Sequence, residues 1–293
     1  MRRILALLAV TALSIAATGC GGSSNKSAEG TTTAASCSKG DLNLVNAGTL
    51  TVGTDNPAYP PWFGGSEKAP WKISDPYSGQ GYESAVAYAV AKQLGFAKSE
   101  VKWIVVPFNT SFAPGPKKFD FDINQISFKP ARAKAVDFSD SYYDVNQALV
   151  VLKGTPIASA TSVDALKPYK FGAQLGTTSY DYIKSNIKPS KQPAVFDTND
   201  AAVQSLKNKQ IDGLVVDLPT AFYVTAAQIE NSKILGQFPN AGAAPEHFGM
   251  VFEKGNSLVG CVNDALSKLR SDGTLQRLRD QWLAKAAGAP VLK

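Results

Sequence analysis

One histidine and three cysteines in 293 residues leave little for metal or thiol chemistry to use. His247 is the only imidazole, so clusters built on several histidines are excluded. The cysteines, at 20, 37 and 261, are too far apart for a zinc knuckle and too few for a disulfide scaffold. No metal and no cofactor is indicated. Gly-x-Ser-x-Gly, the Walker pattern and Gly-x-Gly-x-x-Gly are all missing, so neither a hydrolase elbow nor a phosphate-cradling loop is supported. The net charge of +6 includes Arg2 and Arg3, and no dense basic stripe is interleaved with aromatics, which argues against a nucleic-acid partner. Charged residues are 18%, under the ~25% usual for soluble domains. Hydrophobic residues are 44%, enough for a real core. At roughly 150 residues per domain the length allows about two domains or lobes.

What is present begins with an address. Arg2-Arg3 is followed by an apolar stretch over 4–17, too short to span a bilayer, and then by Ala17-Thr18-Gly19-Cys20. Small residues leading into a cysteine resemble a bacterial lipoprotein cleavage box, although Ala17 stands where that box usually has Leu. The resemblance implies a signal peptide over 1–19, with Cys20 lipidated and the chain anchored to the outer face of the cell membrane or held in a periplasm. An ordinary secretory signal is the other reading. Residues 20–40 are small and polar and read as a flexible tether. Cys37 and Cys261 then remain as a pair in an oxidising compartment, and a disulfide between them is expected, two free thiols being the alternative. After the leader there is no further apolar run of ~20 residues.

From Asp41 onward, strand-like and helix-like stretches alternate. Period-two or all-apolar runs predict strands over 49–54, 101–105, 119–126, 148–152, 170–174 and 211–217. Val86, Val90 and Leu94 recur at helical spacing before Gly95, and further helices are expected after Thr178, Thr198, Pro219 and Leu258, with a break at 272–274. The alternation predicts an α/β fold with largely parallel sheets. Asp120 and Asp122 fall on one face of a strand, as an acid/base pair or as a solvated edge. His247, beside Phe248, reads as a strand-edge residue rather than a catalyst.

Several segments, in order, resemble one family, the extracellular solute-binding proteins of family 3. They are Gly81-Tyr82-Glu83 before a helix ending in Leu94-Gly95, and Ile126-Ser127-Phe128-Lys129-Pro130-Ala131-Arg132. Val136-Asp137-Phe138-Ser139 with Tyr142-Tyr143, Gly176-Thr177-Thr178, Gln210-Ile211-Asp212-Gly213 with Asp217, and Asp272-Gly273-Thr274 follow. Ser84 and Ala85 depart from the family's first signature, and Lys129 replaces its common Thr. The likeness spans about residues 48–283.

That resemblance implies two α/β lobes joined by a two-crossover hinge, lobe one over 41–143 plus 248–293 and lobe two over 144–247. It implies a substrate-binding lipoprotein of an ABC importer that captures a polar amino acid in the interlobe cleft, as a monomer, and delivers it to a membrane permease. In that frame Arg132 and Ser127 meet the α-carboxylate, Thr177 and Thr178 add donors from the other lobe, and Asp217 accepts the α-ammonium. Asp217 could instead cap the helix at Pro219. Tyr59 and Trp62 stand in the aromatic segment that packs on ligand, with core packing as the rival. Asp55 can face the ligand side chain or cap a loop, and Gln125 or Asn124 can project into the cleft. An exported enzyme resembling cyclohexadienyl dehydratase, with Asp55 or Glu83 as its acid or base, is the alternative in a different class, beside an amino-acid-sensing protein and a protein-interaction surface.

Overall fold

The computed structural model describes residues 36–238, 244–283 and 288–292. The leader, Cys20 and most of the tether therefore lie outside the described residues. The chain enters its first lobe through Leu50–Thr54 (β1), Val101–Val105 (β2), Phe121–Asp122 (β3) and Val136–Phe138 (β4). It crosses at Tyr143–Asp144 (β5) into a second lobe. There Gln147–Leu152 (β6), Phe171–Gln174 (β7), Ala194–Phe196 (β8), Gly213–Asp217 (β9) and Ser232–Gln237 (β10) form the sheet. The return runs through His247–Phe248 (β11), antiparallel to β5, to Val251–Glu253 (β12) in the first lobe. The helices are Tyr82–Gln93 (α1), Phe108–Ser111 (α2), Thr178–Tyr182 (α3), Asn199–Lys207 (α4), Leu218–Tyr223 (α5), Leu258–Ser271 (α6) and Thr274–Leu283 (α7).

Both sheets are mixed, which corrects the expectation of largely parallel pairing. The first has the order β2-β1-β3-β12-β4 and the second β10-β6-β9-β7-β8. β2, β1 and β3 run parallel, as do β9, β7 and β8. The strands adjoining the crossings run the other way: β6 pairs antiparallel with β9 and β10, and β12 with β3 and β4. A chain that leaves one sheet and returns to it must enter each from the hinge end, and that fixes the reversed strands.

Burial follows from side-chain parity. Along β6, Ala148, Val150 and Leu152 join one core while Leu149 and Val151 join the other, so the sheet is covered on both faces. α4 and α5 close the first of these cores with Val203, Leu206 and Ala221, and Ile183 and Ile187 after α3 close the second. In the first lobe Leu258, Val262, Ala265 and Leu269 of α6, spaced at three and four residues, face the same core as Val86 and Val90 of α1. α1 starts at Gly81, whose φ is 87°, and a Cβ there would lie 2.5 Å from the Phe63 backbone. Only glycine lets the helix begin directly on the loop that follows β1.

Two further expectations are revised. Only Phe121–Asp122 of the 119–126 run is strand, and Asp120 and Asp122 are not a solvated edge, being 1% and 0% exposed. The Asp120 carboxylate accepts the Thr51 and Val45 amides at 2.6 and 2.7 Å, tying the incoming segment to β1. Neither Asp122 oxygen has a hydrogen-bond partner among the described residues, and burial raises its pKa far above the carboxylate range. At the other end of the chain, the tail docks on the second sheet. Val291 pairs with Gln237, the Gln237 amide donates to Pro290 O at 2.7 Å, and Leu292 is buried in the second lobe's core. β10 offers an open edge there, and Gly236, lacking a side chain, leaves the space that Leu292 fills.

Beneath the cleft, Glu83 is fully buried. Its carboxylate accepts the Gln125 amide at 2.7 Å, the Gln125 side-chain amide and the Tyr142 hydroxyl. Loss of hydration outweighs these donors and pushes its pKa up to about 7. A carboxyl that holds its proton in the fold but releases it near 4.5 when unfolded stabilises the fold most in acid. That contribution is lost as pH rises from about 4.5 to about 7, at a slope approaching ~1.4 kcal/mol per pH unit. Glu83→Gln should therefore narrow the difference between denaturant midpoints measured without ligand at the two ends of that window; an unchanged difference contradicts this account.

The expected disulfide is present: Cys37 is bonded to Cys261 on α6, 224 residues away in sequence. Cys261 is buried in the first lobe's core, so the bond clamps the start of the body to its interior. Replacing both cysteines by serine should cost about 2–5 kcal/mol of unfolding free energy. Denaturant titration of the double variant measures it, and a wild-type midpoint overturns the clamp.

Candidate functional site

A cavity of about 170 Å³ lies between the lobes, lined by residues from the C-terminal ends of β1 and β9 and by the loops that follow β3 and β7. Asp55, Tyr59, Gln125, Ser127, Arg132, Thr177, Thr178 and Asp217 all line it. Trp62 does not. It is 1% exposed, with its ring edge-on to Tyr82, Tyr143 and Phe248, because the loop turns it down into the first lobe's core. Its Nε1 nevertheless donates to Thr220 Oγ1 at 3.2 Å, so it struts the second lobe from below the cleft.

Arg132 sits in a short turn, Arg132–Lys134, and is 7% exposed. Its guanidinium stacks 4.2 Å from the centre of the Phe112 ring. Nη1 donates to Ser127 O at 2.6 Å, and Nη2 crosses to Gly176 O of the second lobe at 2.8 Å. Burial lowers its pKa to about 10, so it stays cationic at neutral pH. Gly176, at φ 80°, comes so near the first lobe that a Cβ would lie 2.4 Å from Asn109 Oδ1.

On the second lobe, Thr177 caps α3 by accepting the Tyr180 amide at 3.2 Å and donates its own proton to Gln174 O. Thr178 presents Oγ1 to Ser127 Oγ at 3.3 Å. Ser127 donates to Glu246 Oε1 at 2.6 Å, so its proton is already committed. Asp217 does not cap α5, for its side chain makes no cap hydrogen bond. It accepts Gln147 Nε2 at 2.8 Å instead. Burial first, and the Glu246 carboxylate second, hold its pKa well above the usual range. An ammonium arriving beside it favours the ionised form.

Gln147 and Glu246 join this network without having been singled out in the sequence. Gln147 accepts Ser179 Oγ at 2.6 Å while its Nε2 reaches Asp217 and, at 3.2 Å, Glu246 Oε2. Its one sequence signal was parity, standing at the cleft end of an otherwise apolar strand; Glu246 had none. Asp200, in the first turn of α4, also lines the cavity unforeseen. Tyr59 packs 5.9 Å from Tyr223 with its hydroxyl against the Asp200 carboxylate, which helps keep the phenol protonated.

The remaining expectations resolve locally. Asp55 lines the cavity and accepts the Asn56 amide at 2.7 Å. Gln125 has a positive φ of 49° and spends its side chain on Glu83. Asn124 lines the cavity with Nδ2 unpartnered among the described residues. Lys129 turns from the cavity to pair with Asp181 across the lobes. Glu83 lies beneath the floor and does not line it. His247 is a strand residue stacked on Phe128 at 5.6 Å.

Comparison with known proteins gives one family. Residues 50–285 match the model of the bacterial extracellular solute-binding proteins, family 3. The L-cystine-binding protein TcyJ of Escherichia coli is 30% identical over 260 residues, 87% of this chain and 89% of that protein. The L-cystine-binding protein TcyA of Bacillus subtilis is 28% identical over 97% of this chain and 98% of its own. Among solved structures, an ancestral arginine-binding protein bound to arginine superposes with a TM-score of 0.65 at 32% identity, over 80% of this chain and 98% of its own. The two lobes, the hinge and the matched span agree, and the chain belongs to the bacterial extracellular solute-binding proteins of family 3.

Proposed function

We propose that this chain is the substrate-binding component of an ABC importer, capturing a polar amino acid between its lobes and presenting it to a membrane permease. The observation that carries the reading is the pairing of opposite charges across the cavity: a buried Arg132 from lobe one, and a half-buried Asp217 from lobe two held by Gln147. A zwitterion loses water from both its charges on entering, and only partners of opposite sign offset that loss. Arg132, with Thr177 and Thr178, takes the α-carboxylate, and Asp217 the α-ammonium. Tyr59, Asp55, Gln125 and Asn124 surround the side chain, and Ser127 holds Glu246 in place.

Contacts already spanning the lobes, from Arg132 to Gly176, Ser127 to Thr178 and Lys129 to Asp181, support a closed state that a bound ligand stabilises. The lobes divide at the hinge strands, lobe one over 41–143 plus 248–283 and lobe two over 144–247 plus the tail. Export through the leader, lipidation at Cys20 and a monomeric body complete the proposal. Relatives named for binding cystine, arginine, histidine and glutamine support binding over catalysis. So does a structural neighbour at 28% identity, described as an amino acid-binding precursor of cyclohexadienyl dehydratase.

A thermal-shift screen of free amino acids tests the reading directly, since a ligand that binds only the fold raises its melting temperature. With the best ligand, Arg132→Ala and Asp217→Ala should each weaken binding by at least ~30-fold, because each leaves a ligand charge buried without a partner. Calorimetry that finds folded variants binding with wild-type affinity defeats the assignment. Binding should also release a proton from Asp217, so the apparent enthalpy near neutral pH should depend on the ionisation enthalpy of the buffer. Equal enthalpies in two such buffers contradict the pairing with the ammonium.

A further inference from the structure

The charges lining the cavity do not cancel once an amino-acid head group is accounted for. Arg132 is the only lining cation among the described residues, against the lining carboxylates of Asp55, Asp200 and Asp217. None of the three is ion-paired with a described residue. A zwitterionic head group brings one charge of each sign and uses Arg132 and Asp217, supplying no cation to the other two acids. Asp55 and Asp200 then remain, one at the end of β1 on the first lobe, the other in the first turn of α4 on the second.

Their surroundings do not supply the missing charge. Asp55 is held by backbone amides. Asp200 accepts Gln228 Nε2 at 3.3 Å and lies against the Tyr59 hydroxyl. Each of these is a neutral donor. Tyr59 belongs to lobe one and reaches the carboxylate of lobe two, and it lines the cavity near both acids, offering an apolar ring with a π face. An uncharged side chain closing this region would leave two desolvated carboxylates facing each other across it, whereas a cationic one is attracted by both.

We infer that the ligand's side chain carries a positive charge, a guanidinium or ammonium group held between Asp55 and Asp200 with its aliphatic stem against Tyr59. The inference rests on the amino-acid-binding reading and narrows it to cationic amino acids. Asp200 is the residue that makes the preference, because it places the second acid on the lobe opposite Asp55 and so lets the side chain, as well as the head group, bridge the cleft.

Calorimetry of the mature protein against L-arginine, L-lysine, L-glutamine and L-cystine tests it. L-arginine or L-lysine should bind at least about tenfold tighter than L-glutamine, whose side chain is uncharged, and L-cystine, whose side chain has no net charge, and Asp200→Asn should cut the ratio of that cation's affinity to glutamine affinity by about tenfold. L-glutamine or L-cystine binding as tightly as both cations overturns the inference and leaves the amino-acid reading standing. A ratio unchanged in a folded Asp200→Asn variant overturns it as well, by reducing Asp200 to a structural partner of Gln228. Failure of all four to bind removes the inference together with the reading beneath it.

Discussion

A guanidinium with almost no access to water is the interaction on which the rest of this cleft depends. Arg132 gives one nitrogen to a carbonyl of its own lobe and the other to Gly176 of the facing lobe, with its plane on Phe112. A cation buried this far is tolerated only when its donors are satisfied, and two carbonyls satisfy part of a five-donor fork. The donors that remain point toward the same space as Thr177 and Thr178. Closure of the lobes, the left-handed turn at Gly176 and the attraction for an anion are thus three aspects of one residue's need for partners.

The opposite wall is built on a different economy of charge. Asp217 and Glu246 crowd around one amide, Gln147, which donates to both and accepts from Ser179. The neutral amide orients Asp217 without neutralising it, so that carboxylate can still attract a cation. Because Gln147 opens β6 soon after the crossing at β5, this network sits beside the crossing strands. Ser127, reaching Glu246 from the first lobe, joins that network to the turn that carries Arg132.

Much of this was legible in the sequence where local pattern and chemistry coincide. Alternation and apolar runs located most strands, helical spacing located α1 and α6, and the short motifs in order contain Arg132, Thr178 and Asp217, which line one cavity. Pattern failed where the outcome depends on which way a segment turns. Trp62 sits three residues from Tyr59, yet one faces the core and the other the cleft, and composition does not distinguish them. Asp120 and Asp122 read as a wet edge because charge in a strand usually is. Here a neighbouring segment covers them, and only long-range packing reveals it. The reversed strands and the docked tail are likewise properties of chain path, to which a one-dimensional period is blind. Gln147, Glu246 and Asp200 come from three separate stretches, and no spacing connects them.

The bond between Cys37 and Cys261 also decides how the body carries mechanical load. A pull applied to the segment before Cys37 would, without the crosslink, act on the stretch from Ser38 to Leu50 and peel β1 from its sheet one residue at a time. With it, the force enters the first turn of α6, a fourteen-residue helix embedded in the first lobe's core, and is shared across that whole face at once. β1, whose end opens on the cavity, is thereby shielded from tension that arrives before Cys37.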